Sequence, residues 1–464
     1  MEHYQIPRVL VSAGQGRSGK TTFTLGLLSA LRAEGYQVQP FKKGPDYIDP
    51  SWMTFASGNA CRNLDMFMMD GKQVKSTFVK HSLSKDISLV EGAMGLFDGL
   101  DIEGSNSTAE LAYLLQAPII LVVNCQRITR SVAAIINGIV NFDERLHFGG
   151  VILNNVARPR HNDIMRGAVE KYCDVEVLGV LPKSADIEIP DRHLGLIPAG
   201  EQAMLSARVD KIGQMVKENV NLQRIIAIAN GAEKMEAKIS ERPIEIKEDA
   251  PTIAVIKDRA FSFYYPENLE ALNLSGAKTV FVDSMADAHL PQVDGIYIGG
   301  GFPEIMAKEI AENKSLMQEI KSCAEKGIPI YAECGGLMYL AKNLITLDGE
   351  AYPMVGIFDC DVKMEKKPQG HGYAIQEATE NQGFFDAGTK ITGHEFHNSK
   401  VVNLDSKNAS FAYKTLRGKG IAEGFDGLVY QNTLACYHHL HASSVENWAS
   451  NFVNLCQMVK NSRE

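Results

Sequence analysis

The chain has 464 residues, too many for one ordinary hydrophobic core, and two large domains fit that length. Hydrophobic residues make up 45% and charged residues 22%, a balance that excludes broad disorder. The formal net charge is −9 with no basic run, which argues against a nucleic-acid partner and for a small-molecule substrate.

No apolar stretch reaches the roughly 18 residues of a membrane span, and the start MEHYQIPRVLVSAGQG lacks a signal peptide's charged region and cleavage site. The expectation is a cytoplasmic protein with no membrane partner. Its eight cysteines are scattered without a C-x-x-C pair, so reduced, mostly buried thiols are expected rather than disulfides or zinc.

The first 200 or so residues alternate short apolar runs with amphipathic stretches: RVLVSA, a helix from Thr21 to about Ala33, YQVQPFKKG, ISLVEGA, APIILVVN, GGVILNN and VEVLGVLP. That alternation predicts a parallel sheet with helical crossovers, hence an α/β domain. Directly after the first strand, Gly14-Gln15-Gly16-Arg17-Ser18-Gly19-Lys20-Thr21 fits G-x-x-x-x-G-K-[ST] and opens a helix. Its glycines let backbone N–H groups close around phosphate oxygens, Lys20 reaches the terminal phosphates, and the Thr21 hydroxyl suits Mg²⁺. ATP is the expected ligand, held by Gly14, Gly16, Ser18, Gly19, Lys20, Thr21 and Thr22.

Phosphoryl chemistry also needs carboxylates, and two acidic loops follow strands where open α/β sheets bind ligands. The loop Gly44-Pro45-Asp46-Tyr47-Ile48-Asp49 and the segment from Glu91 to Asp98 supply them. Asp46 and Glu91 are expected to join Thr21 around Mg²⁺, with Tyr47, Asp49 and Asp98 positioning the substrate. In isolation such acids are commonly helix caps; their place beside a phosphate loop favours the functional role.

Residues 233–250, EKMEAKISERPIEIKEDA, are charged and poor in aromatics and are expected as a linker between a domain over 1–232 and another over 251–464. In the second, TIAVIKD, KTVFVDS, GIYIGGG and GIPIYAE resume the α/β alternation, and a β-rich region follows Gly349 before a final helix from about Ser444 to Val459. The strand ending at Glu333 runs into Cys334-Gly335-Gly336 and a helix, which would hold a nucleophile exposed at a sharp turn with its thiol pKa lowered. A base is sought among His438, His439 and His441 or at His394 and His397; these lack zinc spacing. Backbone donors for an oxyanion are expected at Gly300 and Gly301, in the Gly299–Glu304 run GGGFPE.

Together the two halves resemble the cobyrinic acid a,c-diamide synthase family, in which a dethiobiotin-synthetase-like P-loop domain is joined to a class I glutamine amidotransferase domain. The resemblance spans nearly the whole chain: the phosphate loop, PFKKGPDYIDP, RNLDMFM, VEGAMGLFDG, PDRHLGL, FSFYYPENLE, GGGFPE, YAECGGLMYL, GHEFHNS and ACYHHLHA. It implies that Cys334 attacks the side-chain amide of L-glutamine and that the freed ammonia meets an acyl phosphate made from ATP. The a and c acetates of a tetrapyrrole polycarboxylate are then amidated. Tyr437 and His439 match the family's tyrosine-x-histidine pattern, making His439 the assisting base. His441 stands where many class I amidotransferases carry a glutamate; it is the candidate support of the base, and what orients His439 stays open. The segment also departs from the family at His441-Ala442, where His-Phe is common.

Cobyrinate, towards cobalamin, is the substrate expected first; nickel-sirohydrochlorin, towards the nickel tetrapyrrole of methanogenesis, is nearly equal, and a homodimer is left open. The rivals are a regulatory partitioning-type ATPase, an inactive amidotransferase scaffold and cobyric acid synthase. The first two are disfavoured by Cys334 with its downstream histidines, the third by the RNLD and FYYPENL blocks.

Overall fold

The computed structural model describes residues 2–183, 199–239, 246–380, 382–422 and 424–463. The PDRHLGL block, residues 190–196, lies outside them. The chain forms two compact units, Met1–Ser240 and Glu241–Glu464.

In the first unit seven parallel strands form one sheet, in the order Arg62–Leu64, Val38–Lys43, Ile87–Glu91, Arg8–Ala13, Ile119–Asn124, Phe148–Val156, Val177–Pro182. Helices cover both faces, so Arg8–Ala13 and Val38–Lys43 are buried along their whole length. The helix Lys20–Ala33 buries Phe23, Leu27, Leu28 and Leu31 on the core side, each contributing about 1.5–3 kcal/mol of transfer free energy. Gly26 admits the helix Ala199–Asn219, since a Cβ there would stand 2.5 Å from Val216 Cγ2.

Part of the segment expected as a linker is structured. Met235–Ala237 pairs antiparallel with Glu2–Tyr4, because Met235 and Ala237 alternate inwards onto the core around Phe78 while Glu236 stays exposed.

The second unit holds a ten-stranded mixed sheet. Its parallel part runs Lys278–Val282, Thr252–Ile256, Gly295–Ile298, Ile330–Glu333, Thr433–Cys436. An antiparallel part continues it through Phe425–Tyr430, Phe411–Arg417, Gly370–Ala378 and Lys390–His397 to His439–Leu440. A separate four-stranded sheet is built from Ala351–Pro353, Ala341–Ile345, Phe358–Met364 and Ser399–Val402. The final helix is Trp448–Arg463, starting later than the sequence suggests, with Trp448 fully buried against Tyr297 and Tyr331. Among the described residues no helix is long and apolar enough to cross a membrane.

Candidate active sites in the two units

In the first unit the phosphate loop leaves the strand Arg8–Ala13 and enters the helix at Lys20. Gly19 has φ 89°, and a Cβ there would stand 2.1 Å from Asn154 Nδ2, so only glycine fits. Asn154 fixes the loop from the end of another strand, donating from Nδ2 to the Ser18 carbonyl at 2.9 Å, while Ser18 Oγ donates to the Gln15 carbonyl at 2.8 Å. A Cβ on Gly14 would meet Ile139 Cδ1 at 2.7 Å; Gly16 is open, and Thr22 is half-buried on the first helical turn. Burial lowers the Lys20 pKa, opposed chiefly by Glu91.

Thr21 Oγ1 donates to Glu91 Oε1 at 2.7 Å and lies 3.4 Å from Asp49 Oδ2. Between the carboxylates sits Lys42, whose Nζ is 2.5 Å from Asp49 Oδ2, 3.0 Å from Glu91 Oε1 and 3.7 Å from Asp46 Oδ2. Burial opposes its charge, but Glu91, Asp49 and Asp46 outweigh burial and hold the Lys42 pKa well above the ordinary range. Asp46 Oδ1 accepts the N–H groups of Ile48 (2.8 Å) and Asp49 (3.2 Å). Its pKa is raised to about 7 by burial and by Asp49, whereas Lys42 overcomes burial to keep that of Asp49 low.

Asp49 is therefore the aspartate beside Thr21, and Asp46 chiefly shapes its own loop. Tyr47 opens the helix Ile48–Ser57, half-buried, and Asp98 Oδ2 accepts the Gly95 N–H at 2.8 Å. Among the described residues no group of three or more His, Cys, Asp or Glu side chains is arranged to hold a metal by itself; three carboxylates converge on Lys42. Glu91 Oε2 is nevertheless buried without a hydrogen-bond partner, which leaves a carboxylate oxygen for a cation beside the Thr21 hydroxyl. Sequence reasoning gave Lys42 no role. A lysine in a strand buried on both faces was the available signal.

In the second unit Cys334 sits at φ 49°, ψ −96°, a strained turn between the strand Ile330–Glu333 and the helix Gly335–Leu340. Its N–H donates to the Cys436 carbonyl at 2.7 Å, and its Sγ lies 4.0 Å from the Phe396 carbonyl. The expectation of a lowered thiol pKa is corrected here: burial raises it strongly and Glu304 adds to the rise, while the Gly335 N–H opposes too weakly to reverse it. A buried thiol with carboxyl neighbours and a six-residue helix behind it gains little from that helix.

A Cβ on Gly335 would stand 3.0 Å from the Gly301 nitrogen, and one on Gly300 would stand 2.4 Å from His439 Cε1. Gly300 thus brings the turn of Cys334 and the ring of His439 together. Gly301 has φ 157°, and a Cβ there would fall 1.9 Å from the Ala260 carbonyl oxygen. The strand His439–Leu440 pairs with His394 and Gly393, and the rings of His439 and His394 stack at 4.8 Å. His394 Nε2 lies 2.9 Å from Tyr265 Oη. Burial lowers the pKa of His439 to about 3 and that of His397 to about 4; His397 stacks on Tyr437 at 3.6 Å.

His441, expected to support the base, faces Glu267 and Ser443. Nε2 lies 3.5 Å from Glu267 Oε2, and Nδ1 accepts the Ser443 N–H at 3.1 Å. Glu333 is the carboxyl facing His439, with Oε2 at 3.9 Å from Nδ1. Glu333 Oε1 accepts the Leu440 N–H at 3.2 Å, and Oε2 accepts the Tyr297 hydroxyl at 3.1 Å. Burial pushes Glu333 up to about 8 despite these donors. Asn268 ties the same segment down, donating from Nδ2 to the Leu440 carbonyl at 3.0 Å and accepting the Ala442 N–H at 2.7 Å.

Residues 9–197 match a family described as the CobQ/CobB/MinD/ParA nucleotide binding domain, and residues 252–447 one described as a CobB/CobQ-like glutamine amidotransferase domain. Three proteins named cobyrinate a,c-diamide synthase are similar nearly end to end. That of Magnetococcus marinus is 42% identical over 96% of each chain. That of Listeria monocytogenes is 42% identical over 94% of this chain and 96% of its own. The Archaeoglobus fulgidus protein is 40% identical over 97% of each.

Proposed function

The chain belongs to the cobyrinate a,c-diamide synthase family, glutamine-dependent ligases that form amides, and on that premise we propose how its own residues divide the reaction. The substrate is cobyrinate, amidated on its a and c acetates in cobalamin biosynthesis. The observation that carries the reading is that the Cys334 turn and the His439 ring both pack against the Gly300–Gly301 segment.

At that site the Cys334 sulfur attacks the amide carbon of glutamine. His439 takes the thiol proton and returns it to the departing nitrogen, so the C–N bond breaks and ammonia leaves; water then hydrolyses the thioester to glutamate. Backbone N–H groups at Gly300 and Gly301 face the developing oxyanion.

In the first unit an acetate oxygen attacks the terminal phosphorus of ATP and releases ADP; ammonia then displaces phosphate from the acyl carbon. The phosphate loop and Lys20 hold the triphosphate. Thr21, Glu91 and Asp49 would hold Mg²⁺, with Asp46 shaping the loop that carries Asp49. The cation, when bound, would supply charge neutralisation for the oxygens around the transferred phosphoryl group. Tyr47 and Asp98 position the tetrapyrrole substrate.

The test is mass spectrometry of products from the purified chain with ATP, Mg²⁺ and glutamine, offered cobyrinate and nickel-sirohydrochlorin separately. A diamide of cobyrinate supports the reading. A diamide of the nickel compound alone moves the chain to that pathway, and ATP hydrolysis without any amide replaces the reading with a regulatory ATPase.

A further inference from the structure

We propose that Glu333, the residue immediately before the nucleophile, is the positioning carboxylate for His439 and takes the part that a glutamate two residues beyond the histidine plays in other class I amidotransferases. The inference rests on the glutamine reading above. It goes beyond that reading by assigning the third member of the catalytic set, which His441 does not supply.

Three observations carry it. Glu333 Oε2 is 3.9 Å from His439 Nδ1, and both side chains are 1% exposed. That distance exceeds a hydrogen bond, but such contacts are often long without substrate and tighten in the reacting complex. Next, the carboxyl is held on two sides: the Leu440 N–H fixes Oε1 from the residue after His439, and the Tyr297 hydroxyl fixes Oε2. Tyr297 is itself within 3.2 Å of Asn268 Nδ2, whose amide clamps the backbone of Leu440 and Ala442. Third, His441 is turned to Glu267 and Tyr265, its ring 4.7 Å from that of Tyr265.

The chemistry follows from the geometry. With Nδ1–H directed at an ionised Glu333, Nε2 is the nitrogen left to receive the Cys334 proton, and the imidazolium formed has its counter-charge in place. Glu333 ends its strand and Cys334 forms the turn that follows, so the carboxylate and the sulfur hang from consecutive residues. One backbone segment therefore registers the sulfur against the base. The other titratable groups around this carboxyl are Tyr264, Tyr297, Tyr331, Tyr413, Cys334 and Cys436. All are acids that stay neutral near pH 7, so none of them supplies a positive charge to the carboxylate.

The experiment uses the full-length enzyme and measures glutamate release and ammonia-dependent amidation for Glu333→Gln, Glu333→Asp and Cys334→Ser. Expected for Glu333→Gln is a roughly 100-fold fall in kcat for glutamine with KM changed only a few-fold, the scale of losing general acid–base assistance. The parent's kcat should climb as pH rises through the ionisation of Glu333, at about 8, and that limb should vanish in Glu333→Gln. Glu333→Asp should recover part of kcat, and the limb with it. Ammonia-dependent amidation in all three reports a folded chain.

Unchanged kcat and pH profile in Glu333→Gln would overturn the proposal, as would loss of both nitrogen sources in the Gln and Asp variants alike, which marks a structural carboxyl. Glutamine use surviving in Cys334→Ser would instead sink the underlying assignment of the nucleophile, so the two failures are distinguishable.

Discussion

Lys42 and Glu91 stand opposite each other in register on adjacent parallel strands, with Nζ 3.0 Å from Oε1 and both side chains buried. The ammonium also lies 2.5 Å from Asp49 Oδ2 and 3.7 Å from Asp46 Oδ2, so it offsets the mutual repulsion of three carboxylates. Lys42→Met should therefore destabilise the protein by about 3–5 kcal/mol, the cost of leaving buried charges unpaired. Added Mg²⁺ should raise the melting temperature of the variant more than that of the parent. Thermal denaturation with and without Mg²⁺ checks both, and an unaltered melting temperature would show that the carboxylates do not depend on Lys42.

Separate phosphate and thiol sites predict separable losses. Cys334→Ser should abolish amidation with glutamine while leaving amidation with high free ammonia. Lys20→Ala should abolish both, because no acyl phosphate forms. Assaying the diamide with each nitrogen source decides the matter; glutamine use by the serine variant is the adverse result.

Gly300→Ala tests how closely backbone and base are packed. The added methyl would begin 2.4 Å from His439 Cε1, far inside contact distance, so the ring must move. Glutamine hydrolysis should fall by roughly two orders of magnitude, the usual worth of a positioned base. The fold should tolerate the change, as judged by retained ammonia-dependent amidation. Near-parental glutamine hydrolysis would mean that His439 is not held where the reaction needs it.

The buried histidines predict acid sensitivity. His438 is fully buried, its ring nitrogens make no hydrogen bond among the described residues, and burial lowers its pKa to about 3. A base with a depressed folded pKa contributes stability that is present above the unfolded value, about 6.5, and is lost as pH falls towards 3. His438→Met should remove one proton's share of that slope, about 1.4 kcal/mol per pH unit. Unfolding free energies between pH 7 and 4, measured for parent and variant, give the comparison, and parallel slopes would refute it.

Much of the fold is legible locally. The runs RVLVSA and IYAE are apolar because parallel strands with helices on both sides are buried on both faces. The phosphate loop and the Cys334 turn are each contiguous, so glycines, nucleophile and following helix can be seen together. The strand Met235–Ala237 escaped notice because three residues in a charged segment show too little alternation to register.

What the sequence by itself determined is therefore the pair of α/β units, the phosphate loop at Gly14–Thr21 and the strand-to-helix turn at Cys334, since each is written within one run of neighbouring residues. Only the tertiary structure decided that Asp49 rather than Asp46 lies beside Thr21, that Lys42 sits among the carboxylates, and that Glu333 rather than His441 faces His439. The physical reason is sheet order: Thr21 meets Glu91 across 70 positions, and Glu333 meets Leu440 across 107, through strand registers that no local periodicity encodes.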